Sequence, residues 1–261
     1  MKRIFIFLAA LFFAAHAWAE ELSVKEVVTK ANNRSYYQGK DGSAKATMVV
    51  TDAQGRARQR QLTILKLNIQ EGGDQKYFVY FHKPNDVKGM SYIVWKHAGK
   101  DDDRWLYLPA MDLVRRIAAS DKRSSFAGTT FLYEDISGRS IDLDTHELSA
   151  SDAAYYSVKN TPKDAALVEF SYYTVKIDKN NFVPMKAEYF DKSGKLYRIV
   201  EAYEVKDIQG YPTVIKMKAS DLNANSSTIT EFGDIKYDVG LKEDIFTERF
   251  LRTPPQAWLK E

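Results

Sequence analysis

Reaction chemistry needs nucleophiles, acids, bases or metal ligands that converge, and this chain has few residues spaced for it. Beyond position 20 the histidines are His82, His97 and His146. They show neither HExxH nor any other close ligand spacing, so no metal centre is expected. Cysteine is absent, which removes thiol nucleophiles, thiolate-bound zinc, cysteine-held iron–sulfur clusters, disulfides and a lipidated N-terminal cysteine. No serine sits in a G-x-S-x-G elbow, and no glycine-rich loop with its lysine and hydroxyl is placed to cradle phosphate. The acidic groups read as surface. Asp101-Asp102-Asp103 occupies an expected turn without the Gly and distant Glu of a calcium loop. Glu134 and Asp135 are adjacent, so they do not flank a reacting bond as paired glycosidase carboxylates do. Glu169, Glu188, Glu201 and Glu204 punctuate strands and read as solvent-facing. The expectation is a protein that is not an enzyme and uses no cofactor. A hydrolase whose polar residues meet only after folding is the alternative.

A second kind of chemistry is electrostatic. Arg115, Arg116, Lys122 and Arg123 cluster in sequence and suit anionic headgroups or an acidic membrane partner. A solvated basic patch is the competing reading. Overall the chain has 38 basic and 35 acidic residues, net +3, and without Lys2 and Arg3 the balance is 36 against 35. Bases and acids alternate along the chain, so no nucleic-acid partner is expected.

The elements that position these residues follow an export signal. Lys2 and Arg3 precede an apolar run from Ile4 to Ala15, and Ala17-Trp18-Ala19 supplies small residues at A-x-A spacing. This predicts a signal peptide over residues 1–19. The apolar run is shorter than the roughly 20 residues that span a bilayer, which disfavours a retained anchor. Residues 20–261 are expected to form a single domain in the periplasm of a Gram-negative bacterium, as a monomer. With 44% apolar and 28% charged residues, 7 Pro and 13 Gly, the composition excludes a disordered or collagen-like chain.

Leu22 to Arg34 reads as a helix, with Ser23 as its cap and Glu26 as the reciprocal capping partner. The period then changes to two. Strands are expected from Ala46 to Trp105–Leu108, and again as a meander from Tyr155 to Tyr237 joined by short Gly, Asn and Asp turns. Met111 to Asp144 breaks the pattern and reads as loop or short helices laid over the sheet, with a lid insertion at about 110–135.

The strands are rich in aromatics, with 16 Tyr, 14 Phe and 4 Trp in the chain. These residues suit an ordinary packed core. A sheet of about ten long strands also curls, and one helix with one insertion gives little material to fill its concave face. An apolar cavity lined by Met48, Tyr77, Val79, Phe81, Ile93, Trp95, Trp105 and Tyr107 is therefore expected. Phe126, Gly128, Phe131 and Tyr133 are its expected lid. Strand parity without pairing register does not say which aromatics look inward.

Four passages carry a family resemblance: Gly89-Met-Ser-Tyr-Ile-Val94, Arg104-Trp-Leu-Tyr-Leu-Pro109, Val114-Arg-Arg-Ile117, and Phe126-Ala-Gly128 through Phe131-Leu-Tyr-Glu-Asp135. With the element order, they resemble the periplasmic lipoprotein-carrier and outer-membrane lipoprotein-sorting superfamily, in its exporter-associated branch. The resemblance implies a mainly β protein with some α: a curved antiparallel sheet forming an incomplete β-barrel, covered by an N-terminal helix and an inserted helical or loop lid. It further implies a carrier or chaperone for the acyl chains of a lipoprotein or other lipid, working between an inner-membrane exporter and an outer-membrane acceptor. The alternative is an accessory protein of a membrane exporter that uses the curved sheet as a docking surface.

Overall fold

The computed structural model describes residues 22–259, so the expected leader and its cleavage site lie outside the described residues. Helix α1 (Val24–Tyr36) begins where the capping signal stands: the Glu26 carboxylate accepts from the Ser23 N–H at 2.8 Å, and Ser23 Oγ accepts from the Glu26 N–H. Its buried face, Val27, Val28 and Ala31, is too short to hold a free helix. It docks on Val158 and Ile177 of the sheet.

The sheet has thirteen strands among the described residues. They are β1 (Asp41–Thr51), β2 (Ala57–Asn68), β3 (Gln75–Lys83), β4 (Ser91–Lys96), β5 (Asp103–Leu108), β6 (Leu113–Ile117), β7 (Asp144–Ser151), β8 (Tyr155–Pro162), β9 (Phe170–Asp178), β10 (Pro184–Asp191), β11 (Leu196–Ile208), β12 (Tyr211–Asp221) and β13 (Ser226–Tyr237). Their order is 6-5-4-3-2-1-13-12-11-10-9-8-7, antiparallel throughout. The chain starts at the centre, steps outward to β6, crosses to the opposite edge at β7, and winds back until β13 closes on β1. Short turns suffice for the steps. In the β10–β11 turn the Asp191 carboxylate accepts from the Ser193 and Lys195 N–H groups, and Gly194 takes φ +82°.

Only the crossing, residues 118–143, is long. It carries helix α2 (Tyr133–Ser137) and lies over the concave face, which requires the sheet to curl. Because β6 and β7 are not paired to each other, the barrel stays open. Gly138 ends α2 at φ +77°, and a Cβ there would sit 2.5 Å from the Tyr36 ring, so both backbone and space require glycine.

Two strands depart from the sequence expectation. Leu113–Ile117 was expected within the irregular insertion and is an edge strand on β5; Asp144–Ser151 is the other edge. Each of these strands buries only one residue, Ile117 and Asp144 respectively, so neither needs a row of aliphatic side chains. That is why LVRRI and DTHELSAS carry so weak a strand pattern.

The sheet's two faces are covered by different segments. The concave face holds Ala46, Met48, Leu62, Tyr77, Val79, Phe81, Tyr92, Val94 and Leu106 with Phe126, Phe131 and Tyr133 of the crossing. The convex face holds Leu65, Phe78, Ile93 and Trp105 beneath the C-terminal segment, whose Leu241, Ile245, Phe246, Leu251 and Leu259 are buried. Trp95 Nε1 donates to the Phe246 carbonyl at 2.6 Å and Ser91 Oγ to the Leu251 carbonyl at 2.9 Å, pinning that segment down.

Candidate functional site

Between the curled sheet, α1 and the crossing lies a cavity of about 460 Å³ with a mostly apolar wall. Such a volume falls in the roughly 300–1,000 Å³ range of small-molecule sites. Register explains how it is lined. Cross-strand partners share a face, so the row Leu148, Val158, Val175, Ala187, Val200, Ala219 and Thr228 runs unbroken from β7 to β13 on the concave side. One pleat away, His146, Asn160, Tyr173, Tyr189 and Arg198 form a parallel polar row. The cavity is thus greasy along most of its length and polar where α2 meets that second row.

Met48, Tyr77 and Val79 line the wall, and Phe81 stands in the adjoining cluster, its ring 5.7 Å from that of Phe126. The expectation for Ile93, Trp95, Trp105 and Tyr107 is corrected. Ile93 pairs with Phe78 and Trp105 pairs with Ile93, which sets all of them on the parity opposite to Tyr77 and Val79, under the C-terminal segment. Their cavity-side neighbours are Tyr92, Val94 and Leu106.

Phe126 and Phe131 reach the cavity, and Tyr133 packs edge-on against Phe126 at 5.7 Å. Gly128 between them has φ +71°. Thr130 fastens this stretch to the sheet: its Oγ1 donates to the Ala219 carbonyl at 2.8 Å, and its N–H donates to Thr228 Oγ1 at 3.0 Å.

The four basic residues do not form one patch. Arg115 and Arg116 are exposed but oppose Leu106 and Trp105 respectively, so they leave the edge strand on opposite faces. Arg116 pairs with Asp103 and lies over the Trp105 ring. Lys122 is mostly buried and pairs with Asp101 at 3.2 Å. Arg123 is the clearest correction: its side chain is 7% exposed, bonded to Glu134 at 2.8 Å and Glu169 at 2.6 Å, and stacked over Phe170. A guanidinium held in this way is internal structure, not a headgroup contact.

Glu134, Asp135 and Asp102 are corrected with it, whereas Glu169 is exposed as expected. Glu134 is buried between Arg123 and Arg139, and Asp135 bonds Arg198. Glu169 also accepts from the Tyr197 hydroxyl at 2.8 Å. Burial alone would raise the Glu134 carboxyl, but Arg123 and Arg139 outweigh it and hold it below its usual value. Asp102, expected at a solvated tip, accepts from Arg104 and Ser137 in the interior. The histidines stay apart: His82 meets Thr63, His97 lies between Asp74 and Asp103, and His146 bonds Asn160. Among the described residues no group of three or more His, Asp or Glu is arranged to hold a metal.

A family model described as "Uncharacterized protein"-like matches residues 73–253. The chain belongs to that family. Solved structures extend the likeness to most of the chain. A DUF1329 family protein from Desulfovibrio piger is 27% identical over 87% of this chain and 98% of its own, with a TM-score of 0.79. A Vibrio parahaemolyticus protein described as an outer-membrane lipoprotein-sorting domain is 26% identical over 87% of this chain and 97% of its own, with a TM-score of 0.78. A LolA superfamily protein from Nitrosomonas europaea, at 16% identity, covers 88% of this chain and 100% of its own with a TM-score of 0.68, which shows the shared fold. No curated protein matches the sequence. The chain therefore shares the LolA-type fold, as the sequence resemblance implied. Among the described residues no helix is long and apolar enough to cross a membrane.

Within this family member, sequence reasoning missed the polar mouth of the cavity. Lys66 shares the concave face with Tyr77, its cross-strand partner, and lines the cavity with Arg34 and Gln38. A lysine among Leu62, Ile64 and Leu65 was the available signal. Burial lowers the Lys66 ammonium to about 8, while Asp238 and Asp41 pull it back upward. Below pH 8 both folded and unfolded chains hold this proton and the fold bears the full desolvation cost. From pH 8 to 10 the folded chain sheds it first, so stability rises with pH by about 2 kcal/mol relative to a Lys66→Met variant. Guanidinium unfolding of both proteins at pH 7, 8, 9 and 10 measures this; a pH-independent difference between them would contradict a desolvated amine.

Proposed function

We propose that this protein is a periplasmic carrier or chaperone that takes acyl chains of a lipoprotein or lipid into its cavity and passes them between envelope components. The supporting observation is the space of about 460 Å³, walled by aliphatic and aromatic side chains, that the concave face and its cover leave unfilled. Each methylene moved from water into such a space gains about 0.8 kcal/mol, so a chain of some 16 carbons is worth on the order of 10 kcal/mol. In transfer from a bilayer that gain is largely matched by the membrane's own, which keeps loading reversible.

In this reading residues 1–19 are removed as an export leader and residues 20–261 act as one carrier domain, a monomer. Phe126 to Tyr133 swing aside to admit the chain and stand in for it when the cavity is empty. No step requires a metal, a nucleotide or bond-making chemistry. Direction comes from an inner-membrane exporter that loads the protein and an outer-membrane acceptor with the more favourable site. The alternative, a docking surface for an exporter, expects an interior filled by its own side chains, and the open cavity favours the carrier.

Native mass spectrometry of gently purified protein is expected to reveal a releasable acylated species, and the emptied protein to move a fluorescent lipid between vesicles. Ligand-free preparations that also fail in transfer would overturn the carrier reading.

A further inference from the structure

The charged groups around the cavity fall into two sets. At the α2 end the three arginines are matched: Arg123 by Glu134 and Glu169, Arg139 by Glu134 and Asp144, Arg198 by Asp135. Lys96, which does not line the cavity, donates to the Gly138 carbonyl at 2.7 Å. At the end where α1 stops, Arg34 and Lys66 also line the cavity, and among the described residues neither has a carboxylate within ion-pair distance. Both are instead tied to one residue. Lys66 Nζ donates to the Gln38 carbonyl at 2.7 Å and to the Tyr36 carbonyl at 3.0 Å, while Arg34 Nη1 donates to Gln38 Oε1 at 3.0 Å. Arg34 Nε takes the Asn181 carbonyl at 2.9 Å.

The donor inventory shows what remains. An ammonium has three N–H groups and a guanidinium five, so one on Lys66 and three on Arg34 are uncommitted. The carboxylates nearest Lys66 act from beyond contact distance and are occupied by backbone amides: Asp41 accepts from Val239, Gly240 and Leu241, and Asp238 from Lys40. Two cations held 3 Å from neutral acceptors, beside an apolar cavity, make a site for a negative charge.

Resting on the carrier reading above, we propose that Arg34 and Lys66 form a headgroup subsite that recognises the anionic end, a carboxylate or a phosphate monoester, of a single-chain amphiphile. The tail lies along Leu62, Ile64, Val79 and Met217 toward Phe126. The volume of about 460 Å³ is ample for one acyl chain. The Lys66 stem packs with the tail while its amine meets the head.

The test uses the mature chain loaded with the neutral dye N-phenyl-1-naphthylamine and displaced by three ligands of equal tail: myristate, 1-myristoyl lysophosphatidic acid, and uncharged monomyristoylglycerol. One or both anions are expected to displace the dye at least tenfold more tightly than the monoglyceride, and whichever does so identifies the head. Arg34→Gln and Lys66→Met each reduce that advantage, read as the ratio of anion to monoglyceride affinity in the same variant, about tenfold, whereas Lys66→Arg retains it. Equal affinity of all three ligands for the wild-type protein overturns the subsite while leaving the carrier reading intact. Failure of every ligand to displace the dye sinks the carrier reading and the subsite with it. An advantage that survives in the Arg34→Gln variant assigns the charge recognition elsewhere, and this holds even if the Lys66→Met protein does not fold.

Discussion

Replacing Arg123 by methionine is expected to lower the free energy of unfolding by about 3–5 kcal/mol, the usual cost of removing one partner from a buried ionic network. The side chain bonds two carboxylates and packs over the Phe170 and Tyr189 rings. Its loss leaves Glu134 buried with only Arg139, and that guanidinium is already shared with Asp144. Arg116→Met is the matched control, because its pair with Asp103 is at the surface, where solvent screens it to less than about 1 kcal/mol. Denaturant midpoints at constant slope compare the two. Equal, small losses would mean that the network does not hold the crossing segment to the sheet. The same network sets the acid response. The Glu134 carboxyl is held below its usual 4.5, so its stabilisation is complete above that pH and lost as the pH falls through the depressed value. The Arg123 variant has less of this to lose and is expected to show a shallower acid transition.

Arg123 also shows where sequence stops informing. Its neighbours in sequence are basic, and the cluster reads as a surface patch; its partners in space, Glu134 and Glu169, are 11 and 46 residues away. Charge clustering along the chain says nothing about partners that a curled sheet brings together. By contrast α1 was legible to its cap, because Ser23 and Glu26 act within one turn. The meander was legible too, since hairpin turns and two-residue periods are local. The two edge strands were not, because each buries a single residue and so lacks the apolar alternation of a strand with one covered face. For the cavity, parity was readable but register was not. Met48, Tyr77 and Val79 fall on the wall, whereas Ile93 and Trp105, equally aromatic or aliphatic, fall on the far face because Ile93 pairs with Phe78. The C-terminal segment decides what that far face does: Phe246 and Leu251 cover it. Without that cover the second row of aromatics would have remained as plausible a binding surface as the first.

Met217→Trp separates a cavity from a core. Met217 is half-buried on β12, opposite Thr230 and Ala202, and its side chain faces the cavity. In a solid interior an added indole would cost about 1–3 kcal/mol through forced rotamers and backbone shifts. In an open cavity it occupies free space, and stability is expected to stay within about 1 kcal/mol of the parent. Ligand affinity moves the other way. An indole that excludes four methylenes of an acyl tail removes about 3 kcal/mol of burial, close to a hundredfold in affinity. The uncharged monoglyceride is the right probe, because it carries no charge for Arg34 or Lys66 to pair with. A stable Met217→Trp protein that no longer takes up the monoglyceride establishes that the space is used. A protein destabilised by 2–3 kcal/mol, on the scale of an overpacked core, with its ligand affinity intact would mean that the tail lies elsewhere and that the concave face is filled by packing alone.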